Sequence, residues 1–258
     1  MDQAGPFSKD AFGCAALLDA MASYDEKDST STKRDNINFE KSLSKDFGSL
    51  NIGVIKNIEK LGISEDVINA YETSKTVLTG LGHKLIEVDF SELSSGICSY
   101  YVLAPAECSS NLSRFDGVKY GYRSDGDKDI VNLYMNTRSD GFGDEVKKRI
   151  LIGTHVLSAG FYDAYYLQAQ KVRRMIKVKF ESFFKDVDLI FMPTTLDQAF
   201  EKNRKSDDPN RMYKEDLLTI PANLAGLPAI SFPNGFKNNL PIGGLSLIHI
   251  SEPTRPLR

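Results

Sequence analysis

The chain has 258 residues, of which 41% are hydrophobic, so it is long enough for one large or two small globular domains with a packed core. Thirty-two basic and thirty-five acidic residues leave a formal net charge of -3, which gives no electrostatic reason to expect autonomous binding to nucleic acid or to an anionic membrane. Three separated cysteines without a CxxC pair, Cys14, Cys98 and Cys108, indicate neither a disulfide framework nor a zinc site.

The first part of the chain alternates helix-like and strand-like segments. Residues 10–23 carry apolar positions at helical spacing and predict a short helix, and the polar residues 24–36 predict a surface loop. Residues 51–58 predict a strand, residues 64–82 a helix that ends at glycine, and residues 83–90 a second strand. This strand, helix, strand order is typical of an α/β protein.

Residues 99–123, SYYVLAPAECSSNLSRFDGVKYGYR, combine two kinds of pattern. Residues 100–104 could bury one face of a helix, whereas aromatic and polar side chains crowd the rest of the block. Ordinary core packing does not require that density of polar groups, so we predict that the block forms the wall of a site.

The second part of the chain begins with its longest periodic segment, residues 146–183. A single helix over such a length would run roughly 60 Å, which is too long for a compact domain of this size, so we expect a bend or break near Gly160. Residues 187–195 predict a strand buried on both faces, because their apolar pattern does not alternate. Residues 212–224 predict a last helix, and residues 229–236 another short strand.

Three segments resemble a known family: residues 99–123, residues 141–176 and residues 215–236. They are similar to the glutaminase subunits of the tRNA-dependent amidotransferases, which are amidase-signature enzymes. The resemblance covers most of the chain. It implies an α/β fold with a mixed β-sheet covered by helices, in which residues 1–244 form the middle to C-terminal part of an amidase-signature domain.

The resemblance also implies an activity and a set of partners. Members of this family hydrolyse glutamine and deliver ammonia for the conversion of Glu-tRNA(Gln) to Gln-tRNA(Gln). We therefore expect glutamine as the substrate, a B subunit that uses ATP and magnesium, a C subunit, and tRNA only through the complex, with no cofactor in this chain. The sequence shows no leader pattern and no run of roughly 18 apolar residues, so we expect no membrane partner and a bacterial cytoplasmic location, with an organelle as the alternative.

The catalytic groups of the family are expected to be missing from this chain. In the family a serine nucleophile, a second serine and a lysine precede a DQxGP motif, and here DQAGP follows directly on Met1. A serine hydroxyl is a weak nucleophile until a base takes its proton, and the chain has no GxSxG sequence. We predict a fragment that lacks the Ser-Ser-Lys groups and has no glutaminase activity of its own.

Arg149, Asp216 and Tyr100 align with the substrate-binding residues of the family. The resemblance implies that Arg149 meets the α-carboxylate of the substrate, that Asp216 meets its α-ammonium group, and that Tyr100 is an aromatic site residue. Guanidinium suits a carboxylate because it donates two parallel hydrogen bonds, and each end of a zwitterion needs a partner to replace its lost hydration. Without the resemblance, Arg149 beside Lys147 and Lys148 is typical of a solvated basic face, and Asp216 of a helix-surface acid.

Ser109, Asn111 and Asp116 match the family within residues 99–123, and we predict that they form part of a site wall. The alternative for Asp116 is a surface ion pair with Lys119 or Arg123, which would contribute little to stability.

The end of the chain departs from the family. After Gly243 the sequence GLSLIHISEPTRPLR resembles the translation of a transposon-end adapter used in sequencing libraries, so we predict a non-native tail over residues 245–258. The alternative is a real strand over residues 245–250 that Pro253 and Pro256 terminate.

Two other hypotheses about function remain open. The parent protein could be another amidase-signature hydrolase that acts on a different amide, in which case Arg149 and Asp216 would not govern substrate binding. The chain could also be a non-catalytic interaction module that folds alone and binds a partner.

Overall fold

A five-stranded mixed β-sheet organises residues 50–249. The computed structural model describes residue 1 and residues 3–33, 38–126, 129–200 and 214–249. The strands are β1 (Asn51–Ile55), β2 (Lys84–Val88), β3 (Leu189–Pro193), β4 (Ala229–Lys237) and β5 (Leu240–Ile248). Their order is β2-β1-β3-β5-β4, in which β2, β1 and β3 run parallel while β5 is antiparallel to β3 and β4. The predicted α/β class with a mixed sheet is confirmed.

The helices are α1 (Ala11–Met21), α2 (Phe39–Ser42), α3 (Glu65–Gly80), α4 (Gly96–Leu112), α5 (Ile130–Gly141), α6 (Asp144–Val156), α7 (Leu167–Phe183) and α8 (Ile220–Ala225). Among the described residues, those within 3–49 form one compact unit, and Met1 with those within 50–249 forms a second. In the first unit, the Asp19 carboxylate on α1 accepts hydrogen bonds from the backbone N–H of Phe39 (2.7 Å) and of Glu40 (3.2 Å). These bonds satisfy N–H groups at the start of α2 and join the two helices.

β3 is buried on both faces. Ile190, Phe191 and Met192 are successive residues that point to alternate sides of the sheet, and each exposes at most 3% of its surface. The Phe191 ring lies 5.3 Å from the ring of Tyr71 on α3. A strand covered on both sides needs no polar alternation, so the prediction made from the unbroken apolar run at residues 187–195 is confirmed.

The Tyr71 hydroxyl joins two strands inside this core. It accepts a hydrogen bond from the backbone N–H of Ile55 (2.8 Å) on β1 and donates one to the carbonyl of Phe191 (3.2 Å) on β3. Burial is the main reason that the pKa of Tyr71 lies well above its usual value, so the hydroxyl stays protonated and can serve both partners.

Tyr71→Phe is expected to lower the free energy of unfolding by about 1–3 kcal/mol, because a buried N–H and a buried carbonyl lose their partner while the ring packing is kept. Urea denaturation of the chain measures this change. Tyr162→Phe is the matched control. The Tyr162 side chain is exposed, so removal of its hydroxyl should leave the midpoint of urea denaturation unchanged. Equal midpoints for both variants would show that the Tyr71 bridge contributes nothing.

The long periodic segment is interrupted where the sequence predicts a break. α6 ends at Val156, Gly160 has a φ of 88°, and a π-helical turn over Tyr162–Tyr166 leads into α7. Glycine adopts this left-handed backbone without the steric cost that a Cβ would bring.

The predicted helix over residues 212–224 is wrong in its extent. Residues 212 and 213 lie outside the described residues, residues 214–219 are mostly turns, and α8 begins only at Ile220. Pro221 at the start of α8 explains the late beginning, because proline lacks an N–H and favours the first turn of a helix over its interior. The structure also has a helix that the sequence interpretation missed, α5, whose cap Asp129 accepts hydrogen bonds from Val131 and Asn132 at 3.0 Å.

β5 includes residues 245–248, which the sequence predicts to begin a non-native tail. Leu245 and Leu247 are buried at 4% and 0% exposure, and they pair with Met192 and Ile190 of β3. Residues 250–258 lie outside the described residues. The boundary between native sequence and tail stays a prediction.

Candidate substrate site

A close contact between α4 and α6 sets the geometry of the candidate site. A Cβ added at Gly153 on α6 would collide with the backbone carbonyl of Pro105 on α4 and would lie 2.7 Å from the Cβ of Ser109. Beside it, the hydroxyls of Ser109 and Thr154 form a hydrogen bond of 2.8 Å. Only glycine at position 153 permits the two helix backbones to come this close.

α4 is also bonded to α7. The buried Ser99 hydroxyl donates a hydrogen bond of 2.8 Å to the carbonyl of Ala169 on α7. The next two residues, Tyr100 and Tyr101, are half-buried, and their rings meet at 5.2 Å with an interplanar angle of 90°. Edge-to-face contact of this kind is a favoured arrangement of aromatic rings, so the pair is held in a defined orientation.

Arg149 lies one helical turn before Gly153 and forms an ion pair within α6. Its Nε donates to Oε1 of Glu145 at 3.1 Å, in an ion pair spaced i, i+4 along α6. Partial burial acts to lower the pKa of the guanidinium, but the hydrogen bond and negative charge of Glu145 outweigh it, so the pKa of Arg149 is raised. Arginine carries five N–H donors, so the bond from Nε to Glu145 leaves donors on the terminal nitrogens for a ligand.

Asp216 is placed by the turn that precedes α8. Its backbone carbonyl accepts hydrogen bonds from the N–H of Thr219 (3.2 Å) and of Ile220 (3.0 Å). Its carboxylate Oδ2 accepts a hydrogen bond of 3.3 Å from the Tyr101 hydroxyl. Asp216 is half-buried, so its charge is only partly hydrated.

The two charged residues belong to one cluster. Burial and then the negative charge of Asp216 raise the pKa of Tyr101 to about 12, and the positive charge of Arg149 acts on the same hydroxyl in the opposite direction. We call Glu145, Arg149, Tyr100, Tyr101 and Asp216 the charge-pair cluster. It offers one cation, two anions and two phenol rings, which are binding groups.

The structure thus brings together the three residues predicted to bind substrate: Arg149, Asp216 and Tyr100. Their binding role stays a prediction. Two members of the charge-pair cluster were missed. Glu145 could have been found from its i, i+4 spacing to Arg149 on a predicted helix, whereas nothing local to Tyr101 distinguishes it from a core tyrosine.

The predicted wall residues lie elsewhere on α4 and in the loop after it. Ser109 takes part in the contact between α4 and α6. Asn111 is exposed in the last turn of α4. The Asp116 carboxylate accepts a hydrogen bond from the backbone N–H of Val118 at 2.9 Å and so stabilises a loop turn. A role for these three side chains as a site wall stays a prediction.

The part of the chain that the structure describes contains neither a cluster of metal-ligating side chains nor a membrane-spanning helix. There, no group of three or more His, Cys, Asp or Glu side chains is placed to hold a metal ion. Cys14, Cys98 and Cys108 are unpaired thiols. Over the same residues, no helix has both the length and the apolar character needed to cross a bilayer.

Comparison with known proteins decides the family. A family model described as Amidase matches residues 1–248. The chain belongs to the amidase family. Among solved structures, the A subunit of the glutamyl-tRNA(Gln) amidotransferase from Thermotoga maritima is 35% identical, with a TM-score of 0.71, and the match covers 95% of this chain and 48% of that one. A bacterial aryl acylamidase of the amidase-signature enzymes, 20% identical with a TM-score of 0.64, shares the fold.

Curated amidase relatives carry the same name as the Thermotoga structure. The A subunit of the glutamyl-tRNA(Gln) amidotransferase from Hahella chejuensis is 48% identical over 94% of this chain and 50% of the relative. The protein of that name from Coxiella burnetii is 47% identical over 100% of this chain and 53% of the relative. The chain therefore spans about half the length of the curated relatives it matches.

Proposed function

We propose that this chain is part of the glutamine-hydrolysing subunit of a tRNA-dependent amidotransferase, which converts Glu-tRNA(Gln) to Gln-tRNA(Gln). The observation that carries the proposal is the charge-pair cluster, in which the Tyr101 hydroxyl donates to Asp216 and the charges of Asp216 and Arg149 both act on that hydroxyl. The names of the relatives at 47% and 48% identity support it.

The cluster has the chemistry that a free amino acid requires. Glutamine carries a carboxylate and an ammonium group on one carbon, and both lose hydration on entering a half-buried site. The terminal nitrogens of Arg149 can donate to the carboxylate, and the Asp216 carboxylate can accept from the ammonium group. A neutral amide would offer neither an anion to the terminal nitrogens of Arg149 nor a cation to Asp216, so the site favours glutamine over uncharged amides.

The reaction in the whole enzyme is proposed to use groups outside this chain. A serine nucleophile activated by a second serine and a lysine would form an acyl-enzyme and release ammonia, with the cluster holding the amino-acid end of the substrate. A B subunit would use ATP and magnesium to activate the tRNA-linked glutamate, and a C subunit would complete a cytoplasmic heterotrimer. Glutamine hydrolysis by this chain alone is not expected under this proposal.

A substrate panel tests the proposal in a full-length subunit that contains this chain. L-Glutamine is expected to be hydrolysed at least about 100-fold more efficiently, by kcat/KM, than 4-carbamoylbutanoate or L-glutamine amide, which lack the ammonium and carboxylate charges respectively. Release of ammonia measures the rate for each. Equal kcat/KM for glutamine and a simple uncharged amide would favour the alternative, an amidase-family hydrolase with a different substrate.

A further inference from the structure

We propose that Tyr101 is a positioning residue that fixes the Asp216 carboxylate for the α-ammonium group of the substrate and so sets selectivity for an amino acid over its deaminated analogue. The inference rests on the proposed function. Tyr101 itself is assigned no contact with the reacting atoms, and it acts through Asp216.

The contact between the two side chains has a defined direction. A carboxylate can only accept, so the Tyr101 hydroxyl donates to Oδ2 of Asp216 across 3.3 Å. The raised pKa of Tyr101, about 12, keeps this donor protonated throughout the neutral range. This bond uses one lone pair of Oδ2 and fixes the orientation of the Asp216 carboxylate. The other lone pairs of the carboxylate then point in defined directions and can accept from a ligand.

The two residues are held by different parts of the fold, which makes the bond a constraint between them. Tyr101 is on α4, where its ring packs on Tyr100 and the neighbouring Ser99 is bonded to α7. Asp216 is 115 residues further along the chain, in a turn tied through its carbonyl to Ile220. Without the hydroxyl, the short Asp216 side chain would have to be ordered by the substrate, at a cost in binding affinity.

The test is Tyr101→Phe in a full-length subunit that contains this chain. The KM for L-glutamine is expected to rise by about 5- to 10-fold with kcat unchanged within about 2-fold, since ordering of Asp216 is lost and the chemistry is not touched. The KM for 4-carbamoylbutanoate, which has no ammonium group, is expected to stay the same. A merely structural role would raise both KM values together, and that result would overturn the proposal.

Three further variants provide a control, a rescue and a double-mutant comparison. Tyr166→Phe is the matched control, because it removes a half-buried hydroxyl that accepts from Gln170 at 3.0 Å and should change neither KM. Replacing Tyr101 by 4-aminophenylalanine keeps a donor at the same ring position and should restore the KM for glutamine. In an Asp216→Asn background Tyr101→Phe should add nothing further, and additive effects would contradict action through Asp216.

Different results would contradict the proposed function and the positioning role of Tyr101. If Asp216→Asn leaves the preference for L-glutamine over 4-carbamoylbutanoate unchanged, recognition of the ammonium group by Asp216 is wrong. If Asp216→Asn abolishes the preference but Tyr101→Phe does not reduce it, the proposed function stands and the positioning role is overturned.

Discussion

Arg149→Ala in a full-length subunit that contains this chain is expected to raise the KM for L-glutamine about 30- to 150-fold, with a smaller effect on kcat. Truncation removes the carboxylate partner and leaves Glu145 without its ion pair. This loss of glutamine affinity is at the lower end of what removal of one member of a buried charged pair costs, because the Arg149 side chain is 38% exposed and so partly solvated. Steady-state kinetics over a range of glutamine concentrations measures it.

Two companion variants sharpen the result for Arg149. Lys148→Ala removes the adjacent exposed charge from the same helix and should leave the KM unchanged, which separates a substrate contact from a general basic face. Arg149→Lys should recover only part of the affinity, because lysine keeps the charge but cannot donate two parallel bonds. If glutamine binding survived both Arg149→Ala and Asp216→Ala, recognition of a free amino acid by this site would be wrong.

Gly153→Ala is expected to destabilise the chain by about 2–3 kcal/mol, although alanine is ordinarily the better helix former. The new methyl group would collide with the Pro105 carbonyl, so α4 and α6 must move apart. Because Tyr101 and Arg149 each lie one turn before this contact, the same movement should separate them and raise the KM for glutamine in the full-length subunit. Urea denaturation and glutamine kinetics measure the two effects.

Gly80→Ala is the control for that substitution. Gly80 is the last residue of α3, and a Cβ placed there meets nothing within 4 Å, so alanine should leave stability unchanged or raise it by up to about 1 kcal/mol. Equal stability of the Gly153→Ala and Gly80→Ala variants would show that α4 and α6 tolerate wider spacing.

Local patterns in the sequence predict the positions of helices and strands correctly where a segment's structure depends on that segment alone. β1, α3 and β2 lie close to the predicted strand, helix and strand because apolar spacing, caps and glycines act over a few residues. The start of α8 was misplaced because Pro221 outweighed the apolar spacing around it. α5 was missed because much of its apolar surface is exposed, so the pattern carries little contrast between faces.

The candidate site could be predicted only in part, because it depends on contacts between distant segments. Arg149 and Asp216 were singled out by resemblance to a family, since their own surroundings in the sequence are typical of solvated charges. Their connection runs through Tyr101 and depends on the approach of α4 to α6 at Gly153. A single sequence does not show which glycine meets a neighbouring backbone or which tyrosine meets a carboxylate 115 residues away.

The position of β5 bears on how the protein can be made in a cell. β5 is later in the sequence than every strand it touches, yet it lies between β3 and β4 in the sheet. Until residues 240–248 have left the ribosome, β3 and β4 have no hydrogen-bonding partner in common, and the apolar surface that Leu245 and Leu247 cover is open to water. At synthesis rates of about 5–20 residues per second, this part of the sheet should therefore stay incomplete for several seconds, until β5 has been made.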